Sequence, residues 1–194
     1  MLGIDRAGFV GEDGETHHGL FDVAMLTTVP GVTVYSPSDT AELSQCLEQA
    51  LYKDKGIVAV RYPRGCELYR SGTKAYSDFR HVSNKSRKLI FTYGRISAYA
   101  YTIHGVDVLQ AIKIFPIADE MIDICLAYDE IYAFEEGERE GGIAQKLCTA
   151  LALAGFKGRF TITAVDGFVR HADVAAQLHN AMLDADGMRK ITGE

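Results

Sequence analysis

Residues 5–22 read DRAGFVGEDGETHHGLFD and combine four glycines with an arginine, several carboxylates and two adjacent histidines. Because the glycines recur throughout the segment, neither a helix nor a regular strand can continue through it. The sequence therefore predicts a loop rich in ionisable groups, and such loops, when ordered, often carry binding or catalytic residues. From composition alone, a solvated surface loop is the alternative.

Strand and helix patterns alternate after this loop. Residues 21–26 have helical spacing, and the short β-branched runs at 32–35 and 57–62 are typical of buried strands. Between the two runs, an apolar helical face extends to about residue 53, with Ser38 predicted as its N-cap. Strand, helix and strand in this order predict a parallel pair joined by a right-handed crossover.

The second half of the chain continues the alternation. Strands are predicted at residues 89–92, 106–111, 130–134 and 160–164, and helices at 116–126, from 142 to about 151 and at 173–188. Only residues 96–104 separate the first two of these strands, which is fewer than a parallel crossover normally needs. Either the crossover helix is trimmed or residues are missing there, and we favour the second. The pattern as a whole predicts an open, mostly parallel α/β fold.

Charge and composition exclude several classes of protein. The chain is 47% apolar and 24% charged, as in ordinary globular proteins. Its formal net charge of −6 argues against a nucleic-acid partner or binding to an anionic membrane. No stretch approaches the roughly 18 apolar residues of a membrane span, and the first residues lack a signal-peptide pattern. We therefore expect a cytoplasmic protein.

The cysteines are widely spaced and form no CxxC pair or zinc-ligand spacing. No metal site is predicted. Because free cysteine usually behaves as a small buried apolar residue, we expect all four to be buried thiols. They are Cys46, Cys66, Cys125 and Cys148.

Several motifs occur together and in a fixed order. They are DRAGFVGEDGETHHG at 5–19, VPG at 29–31, SPSD at 36–39, VRYPRG at 60–65, TYG at 92–94, FPI at 115–117, FEEG at 134–137 and GG at 141–142. In this order they resemble the 1-deoxy-D-xylulose-5-phosphate synthase family of the transketolase superfamily, least closely over residues 66–111. The resemblance implies the end of a parallel pyrimidine-type domain (1–65), a linker (66–88) and a transketolase C-terminal-type α/β domain (89–194).

The resemblance also implies chemistry for the complete enzyme. Members of this family use thiamine diphosphate and Mg²⁺ to condense pyruvate with glyceraldehyde 3-phosphate for isoprenoid precursors, and they are homodimers. The family's metal motif and its cofactor-activating glutamate lie upstream of the DRAG-type loop. Since the chain begins with the end of a strand, we expect a C-terminal fragment that binds no cofactor and is inactive alone.

Four residues are the candidates for the site. Arg6 and Arg64 follow predicted strands, and ligands of open α/β sheets gather at that edge. By resemblance the two arginines hold the phosphate of the aldehyde substrate, which the guanidinium geometry suits. By the same resemblance, His17 matches the family's active-site histidine. Imidazole suits that role because it exchanges protons near neutral pH. Asp13 is predicted to orient His17 or to bind substrate hydroxyls.

Each of these residues, and several of their neighbours, also has a purely structural interpretation. An arginine after a strand is more often part of a surface ion pair, and Arg61 is expected to pair with an acidic neighbour. His18 is expected to be a spacer. The carboxylates Glu135 and Glu136 are interpreted as structural or interfacial, because carboxylates beside a helix N-terminus stabilise that helix.

Two other functional classes remain open. The first is a subunit of a split transketolase or of a pyruvate-dehydrogenase-type enzyme, working with a separate cofactor-binding chain. The second is a non-catalytic dimerisation module. The DRAG-type opening favours the synthase, and the presence of both arginines and the histidine argues mildly against the module.

Overall fold

Two sheets, each dominated by parallel pairs, organise the protein in the computed structural model, which describes residues 1–72 and 75–194. The strands are β1 (Leu2–Ile4), β2 (Val32–Tyr35), β3 (Ile57–Arg61), β4 (Phe79–Val82), β5 (Lys88–Tyr93), β6 (Asp107–Ala111), β7 (Lys113–Phe115), β8 (Glu130–Glu138) and β9 (Arg159–Val165). The helices are α1 (Asp22–Leu26), α2 (Thr40–Tyr52), α3 (Ser97–Ala100), α4 (Asp119–Leu126), α5 (Ile143–Leu153), α6 (Val174–Asn180) and α7 (Ala185–Thr192).

The first sheet has the order β1-β3-β2-β7, and the second has the order β4-β6-β5-β8-β9. All neighbouring pairs are parallel except β2 with β7 and β4 with β6. The predicted mostly parallel α/β class is confirmed. The two antiparallel edge strands were not predicted, because each is short and forms only by pairing with a distant strand.

The predicted strand–helix–strand unit is β2–α2–β3, in which Val34 lies beside Ala59 in a parallel register. The N-cap of α2 is Asp39, whose carboxylate accepts a hydrogen bond from Glu42 N at 2.8 Å. The predicted cap, Ser38, instead donates its hydroxyl to Glu42 Oε2 at 2.6 Å. The assignment was wrong by one residue, because Ser38 is occupied by a side-chain partner one helical turn ahead.

A trimmed crossover joins β5 to β6. The connection consists of a 3-10 turn at Gly94–Ile96 and the single-turn helix α3. Leu89 nevertheless lies beside Asp107 in a parallel register. The short connection is therefore sufficient, and the trimmed helix is the arrangement found.

The predicted helix over 173–188 is two helices, α6 and α7. Met182 has a left-handed φ of +58°, which ends the first helix, and Asp184 caps the second by accepting from Gly187 N at 2.8 Å. The amphipathic pattern continues across this break. Periodicity therefore could not locate it.

Strand β4 lies within the segment predicted as a linker, and it pairs with the edge of the second sheet. Residues 73 and 74 of that segment lie outside the described part of the chain. The division at residues 65 and 88 remains a prediction.

A shared apolar cluster lies between the sheets. Val34 and Ala59 of the first sheet belong to the same buried cluster as Leu89, Phe91 and Ile131 of the second. The carboxyl ends of β2 and β5 also meet, since Gly94 N donates to Ser36 O at 3.2 Å. The loop that follows β1 lies at this junction.

The cysteines differ from expectation. Cys46 and Cys125 are buried, Cys148 is half-buried and Cys66 is exposed, all as free thiols. The prediction for Cys66 was wrong because it follows β3 in a polar surface segment. Within residues 1–72 and 75–194, no helix combines the length and apolar character needed to cross a bilayer.

Candidate functional site

The glycine-rich loop is closed at its base by its own backbone. Gly8 N donates to Gly19 O at 2.8 Å, and Gly19 N donates to Gly8 O at 2.9 Å. Two 3-10 turns, Gly11–Asp13 and Glu15–His17, lie between these glycines. The segment predicted as a loop is therefore ordered by local hydrogen bonds and not extended into solvent.

A buried ion pair from the second sheet holds the first end of the loop. Glu136, near the carboxyl end of β8, accepts from Phe9 N at 2.8 Å, and Arg95 Nη2 donates to Phe9 O at 2.8 Å. The two side chains also bind each other, with Arg95 Nε and Glu136 Oε2 at 2.9 Å. Both are almost fully buried. The backbone of Phe9 is thus held on both its donor and its acceptor side.

A second buried arginine holds the other end of the loop. Arg61, at the end of β3, donates Nη2 to Gly19 O at 3.0 Å and binds Asp22 through Nε at 2.9 Å and Nη2 at 3.1 Å. Burial acts to lower the pKa of Arg61, but the acidic groups around it, with Asp22 foremost, together outweigh burial and raise the pKa. The prediction that Arg61 pairs with an acidic neighbour agrees with this contact.

His18 fixes the interior of the loop. Its Nδ1 accepts a hydrogen bond from Val10 N at 3.0 Å, and its ring meets Phe9 edge-on. Burial lowers the pKa of His18. An acceptor nitrogen and a lowered pKa both indicate a neutral imidazole. His18 is therefore a buried anchor, and the prediction of a spacer was wrong.

Arg6 and Arg64 meet at one carboxylate oxygen. Arg6 Nη1 lies 3.2 Å from Asp13 Oδ2, and Arg64 Nη1 forms an ion pair with the same oxygen. The hydrogen bond from Arg64 lowers the pKa of Asp13, and the charges of Arg6 and His17 lower it further. Both guanidinium groups remain substantially exposed to solvent. The structure therefore brings together the two predicted phosphate ligands, with Asp13 between them.

Backbone conformation contributes to this meeting of side chains. Arg6 has a φ of +61°, in the left-handed region that non-glycine residues rarely adopt. Strained residues of this kind cluster at functional sites, where the surrounding structure enforces the conformation. Here the following main chain is fixed, because Ala7 N donates to Tyr62 O at 3.0 Å and Gly8 is held by Gly19.

His17 is exposed near the tip of the loop. Its Nδ1 lies 3.1 Å from Thr16 Oγ1, and its charge is near enough to act on Asp13. The side-chain partners of Asp13 are the two arginines, so the predicted orientation of His17 by Asp13 is not the arrangement found. The imidazole faces solvent on the same loop as Arg6 and Asp13.

A cleft of about 270 Å³ lies beside Arg64. Its walls come from the loop, from the segment after β3 and from the start of α6, including Gly11, Arg64 and Val174. His171 Nε2 lies 2.9 Å from Glu12 O and connects the C-terminal segment to the loop. The cleft is large enough for a small metabolite at the edge where the loop lies.

Glu135 has a structural role. Its carboxylate accepts hydrogen bonds from Ile143 N at 2.9 Å, Ala144 N at 2.8 Å and Tyr93 Oη at 2.6 Å. Burial raises the pKa of Glu135, and these three donors act in the opposite direction. The interpretation of Glu135 as support for a helix N-terminus agrees with these contacts.

Potential metal ligands are dispersed through the molecule. In the part of the chain that the structure describes, no three His, Cys, Asp or Glu side chains lie close enough together to hold a metal ion.

The sequence did not predict that Arg95, Glu136 and His18 anchor the loop. The FEEG motif was a signal for Glu136. A side chain that binds a distant peptide group nevertheless leaves no local pattern from which its partner could be inferred.

Comparisons with known proteins agree with this architecture. The family described as transketolase, pyrimidine binding domain matches residues 1–67. A 1-deoxy-D-xylulose-5-phosphate synthase of Thermus thermophilus is 33% identical over 98% of this chain and 32% of its own length. The chain is thus similar to this synthase over nearly its whole length, and its first third matches the transketolase pyrimidine-binding domain family.

Two further synthases are similar to the same extent. The 1-deoxy-D-xylulose-5-phosphate synthases of Chlorobium phaeovibrioides and Chlorobium luteolum are 34% and 32% identical, over 95% and 100% of this chain. They are matched over 32% and 33% of their own lengths. The chain thus spans about a third of the length of the curated relatives it matches.

A solved structure supports the transketolase fold. The structure titled split gene transketolase, inactive beta4 tetramer, superposes with a TM-score of 0.79 and 19% identity, covering 95% of this chain and 63% of that one. At this identity the likeness concerns the fold.

Proposed function

We propose that the chain is the C-terminal portion of a thiamine-diphosphate-dependent 1-deoxy-D-xylulose-5-phosphate synthase, a cytoplasmic and homodimeric transferase that condenses pyruvate with glyceraldehyde 3-phosphate. In this proposal the chain supplies the part of the site that receives the aldehyde substrate. The match of residues 1–67 to the pyrimidine-binding domain family and the sequence similarity to named synthases support it.

One observation carries the assignment of the site. Arg6 and Arg64 are far apart in sequence, yet both contact Asp13 Oδ2. Two guanidinium groups that converge on one oxygen already surround an anion. Phosphate oxygens suit the same geometry, because a guanidinium presents paired donors that match phosphate or carboxylate.

The chain's own residues divide the work as follows. Arg6 and Arg64 bind the substrate phosphate, and the exposed imidazole of His17 exchanges a proton with the aldehyde oxygen as it becomes a hydroxyl. Arg95, Glu136 and Arg61 hold the two ends of the loop that carries Arg6 and His17.

The cofactor is assigned no residues in this chain. When bound, thiamine diphosphate would supply the carbon nucleophile for the condensation. Among the described residues, no three His, Cys, Asp or Glu side chains lie close enough together to hold its Mg²⁺ ion. From the resemblance to the synthase family, we propose that the ligands of the cofactor come from other parts of the complete enzyme.

The proposal is tested by anion binding to the folded chain. Titration calorimetry with inorganic phosphate and with glyceraldehyde 3-phosphate should detect weak binding, and Arg6→Ala or Arg64→Ala should each weaken it about tenfold, because hydrogen bonds between charged groups contribute about 1.5–3 kcal/mol. The matched control is Arg87→Ala, because Arg87 is an exposed arginine paired with Asp129. This control should leave the affinity unchanged.

The contrary result is equally clear. If the unmutated chain is folded and binds neither ligand, or if Arg87→Ala weakens binding as much as Arg64→Ala, the assignment of this site is wrong.

A second proposal is a subunit of a split transketolase. The similarity in fold to a protein titled split gene transketolase favours it over a purely non-catalytic module. It predicts that the chain co-purifies with a separate cofactor-binding chain and gains transferase activity in the mixture. A chain that binds phosphate but forms no such complex would exclude this second proposal.

A further inference from the structure

The carboxylate of Asp13 occupies the position between Arg6 and Arg64 that a bound phosphate would need. Its Oδ2 is the atom that both Arg6 and Arg64 approach, and the two cations have side-chain exposures of 40% and 56%. A ligand phosphate that binds both guanidinium groups therefore competes with this carboxylate for the same space and charge. If both anions remained together, their repulsion would oppose binding.

Asp13 is placed so that it can leave. It ends the 3-10 turn Gly11–Asp13, near the tip of the loop and away from the hydrogen-bonded base at Gly8 and Gly19. The next residue, Gly14, has a φ of +87°, and apart from its two chain neighbours no described residue has an atom within 4 Å of the position a Cβ would take there. The tip therefore has open space beside it.

The carboxylate is ionised at neutral pH, since the hydrogen bond from Arg64 lowers the pKa of Asp13. It is also covalently part of the loop, so its effective concentration at the arginines is high compared with that of a free ligand. A competitor of this kind reduces the apparent affinity of the site for every anion that needs both cations.

We propose that Asp13 is an internal counter-ion, which neutralises Arg6 and Arg64 in the empty site and must be displaced by the phosphate monoester dianion of the substrate. This inference rests on the proposed function, because it concerns the same two arginines. It gives Asp13 a role in setting how strongly the site binds an anion, in place of the role in orienting His17.

Three roles for Asp13 predict different results with inorganic phosphate, which carries no carbon-bound hydroxyl. An internal counter-ion predicts that Asp13→Asn tightens phosphate binding. A ligand for substrate hydroxyls predicts no change for inorganic phosphate and weaker binding of glyceraldehyde 3-phosphate. A residue that merely holds the arginines in place predicts weaker binding of both.

The experiment is titration of the folded chain and its variants with inorganic phosphate and with glyceraldehyde 3-phosphate. Asp13→Asn should bind inorganic phosphate about tenfold more tightly than the unmutated chain, and Asp13→Ser, which removes the carboxylate in a different way, should do so as well. Thermal melting followed by circular dichroism verifies that each variant is folded.

Two controls make the result specific. Asp5→Asn removes the same charge beside the same arginine, since Asp5 Oδ2 lies 3.9 Å from Arg6 Nε, but the carboxylate that Arg64 contacts is that of Asp13. Its effect should be below about twofold. In an Arg64→Ala background the gain from Asp13→Asn should shrink, because one of the two cations that the carboxylate blocks is gone.

Unchanged or weaker phosphate binding in Asp13→Asn would overturn the counter-ion role, even if Arg6→Ala and Arg64→Ala still weaken binding and the proposed function stands. An equal gain in Asp5→Asn would also overturn it, because the effect would then be one of overall charge. If neither the unmutated chain nor Asp13→Asn binds phosphate, both proposals fail together.

Discussion

The protein uses two pairs of arginines in opposite ways. Arg61 and Arg95 are buried, and each binds a carboxylate together with a backbone carbonyl of the loop. Arg6 and Arg64 are exposed and share the carboxylate of Asp13. Burial thus separates guanidinium groups that fix the structure from those that remain available to a ligand.

The buried pair also shows how two sheets position one loop. Arg95 and Glu136, from the second sheet and the turn that follows β5, hold the loop at Phe9, and Arg61, from the first sheet, holds it at Gly19. The loop is therefore fixed at both ends by different parts of the fold. The exposed pair acquires its geometry from this support.

The largest expected effect comes from breaking the buried pair. Arg95→Met leaves Glu136 buried without a cation, and removing one partner of a buried ion pair typically costs about 3–5 kcal/mol of unfolding free energy. Urea denaturation followed by circular dichroism measures the loss. Arg64→Met is the matched exposed control and should change stability little, because surface ion pairs contribute little. Equal losses in the two variants would remove the distinction between the pairs.

An intermediate effect is expected where the loop touches the buried pair. Gly8 has a φ of +79°, and a Cβ there would overlap the carboxylate of Glu136. Gly8→Ala should cost about 2–4 kcal/mol, because steric overlap adds to the backbone penalty. Gly31→Ala shares the backbone penalty, with a φ of +75°, but has no described atom within 4 Å of its Cβ, so it should cost only about 1–2 kcal/mol. Indistinguishable losses from urea melts would show that the contact with Glu136 contributes nothing.

The smallest effect concerns the neutral anchor inside the loop. Because burial lowers the pKa of His18 in the folded state, the unfolded chain binds a proton more readily. Stability from this residue is complete above the ordinary histidine pKa of about 6.5 and is lost as the pH falls through that value towards the folded-state pKa. His18→Gln should therefore show a smaller loss of stability than the unmutated chain between pH values of about 7.5 and about 5.5, measured by urea denaturation at each pH. Parallel pH dependences would indicate that His18 is not protected from protonation.

The sequence predicts most of the fold, because local patterns specify parallel strand–helix–strand units. Residues 32–61 fold as β2–α2–β3, as the β-branched runs and the helical apolar face indicate. Strands β4 and β7 were missed because each is short and forms only by pairing with a strand that is distant in the sequence. The break between α6 and α7 was missed because the apolar spacing continues across it. Only the backbone conformation of Met182 and the capping residue Asp184 mark the break.

The candidate site could likewise be predicted only in part. The proximity of Arg6 and Arg64 was predicted from the motifs, and their contact with Asp13 was not; the roles of all four candidates remain predictions. The contacts of Arg95 and Glu136 with Phe9 could not be predicted from the sequence. Both are hydrogen bonds to the backbone of Phe9, and such bonds do not depend on which side chain that residue carries.

Strand β7 has a practical consequence for shortening this protein. It follows β4, β5 and β6 of the second sheet in the chain, yet it covers the edge of β2 in the first sheet, beside the hydrogen bond from Ser36 N to Ile112 O at 2.8 Å. A version truncated before residue 113 would expose Val34 and Tyr35 as an open strand edge, which invites aggregation. Designs that aim to keep the glycine-rich loop in a minimal protein should therefore retain a cover for this edge.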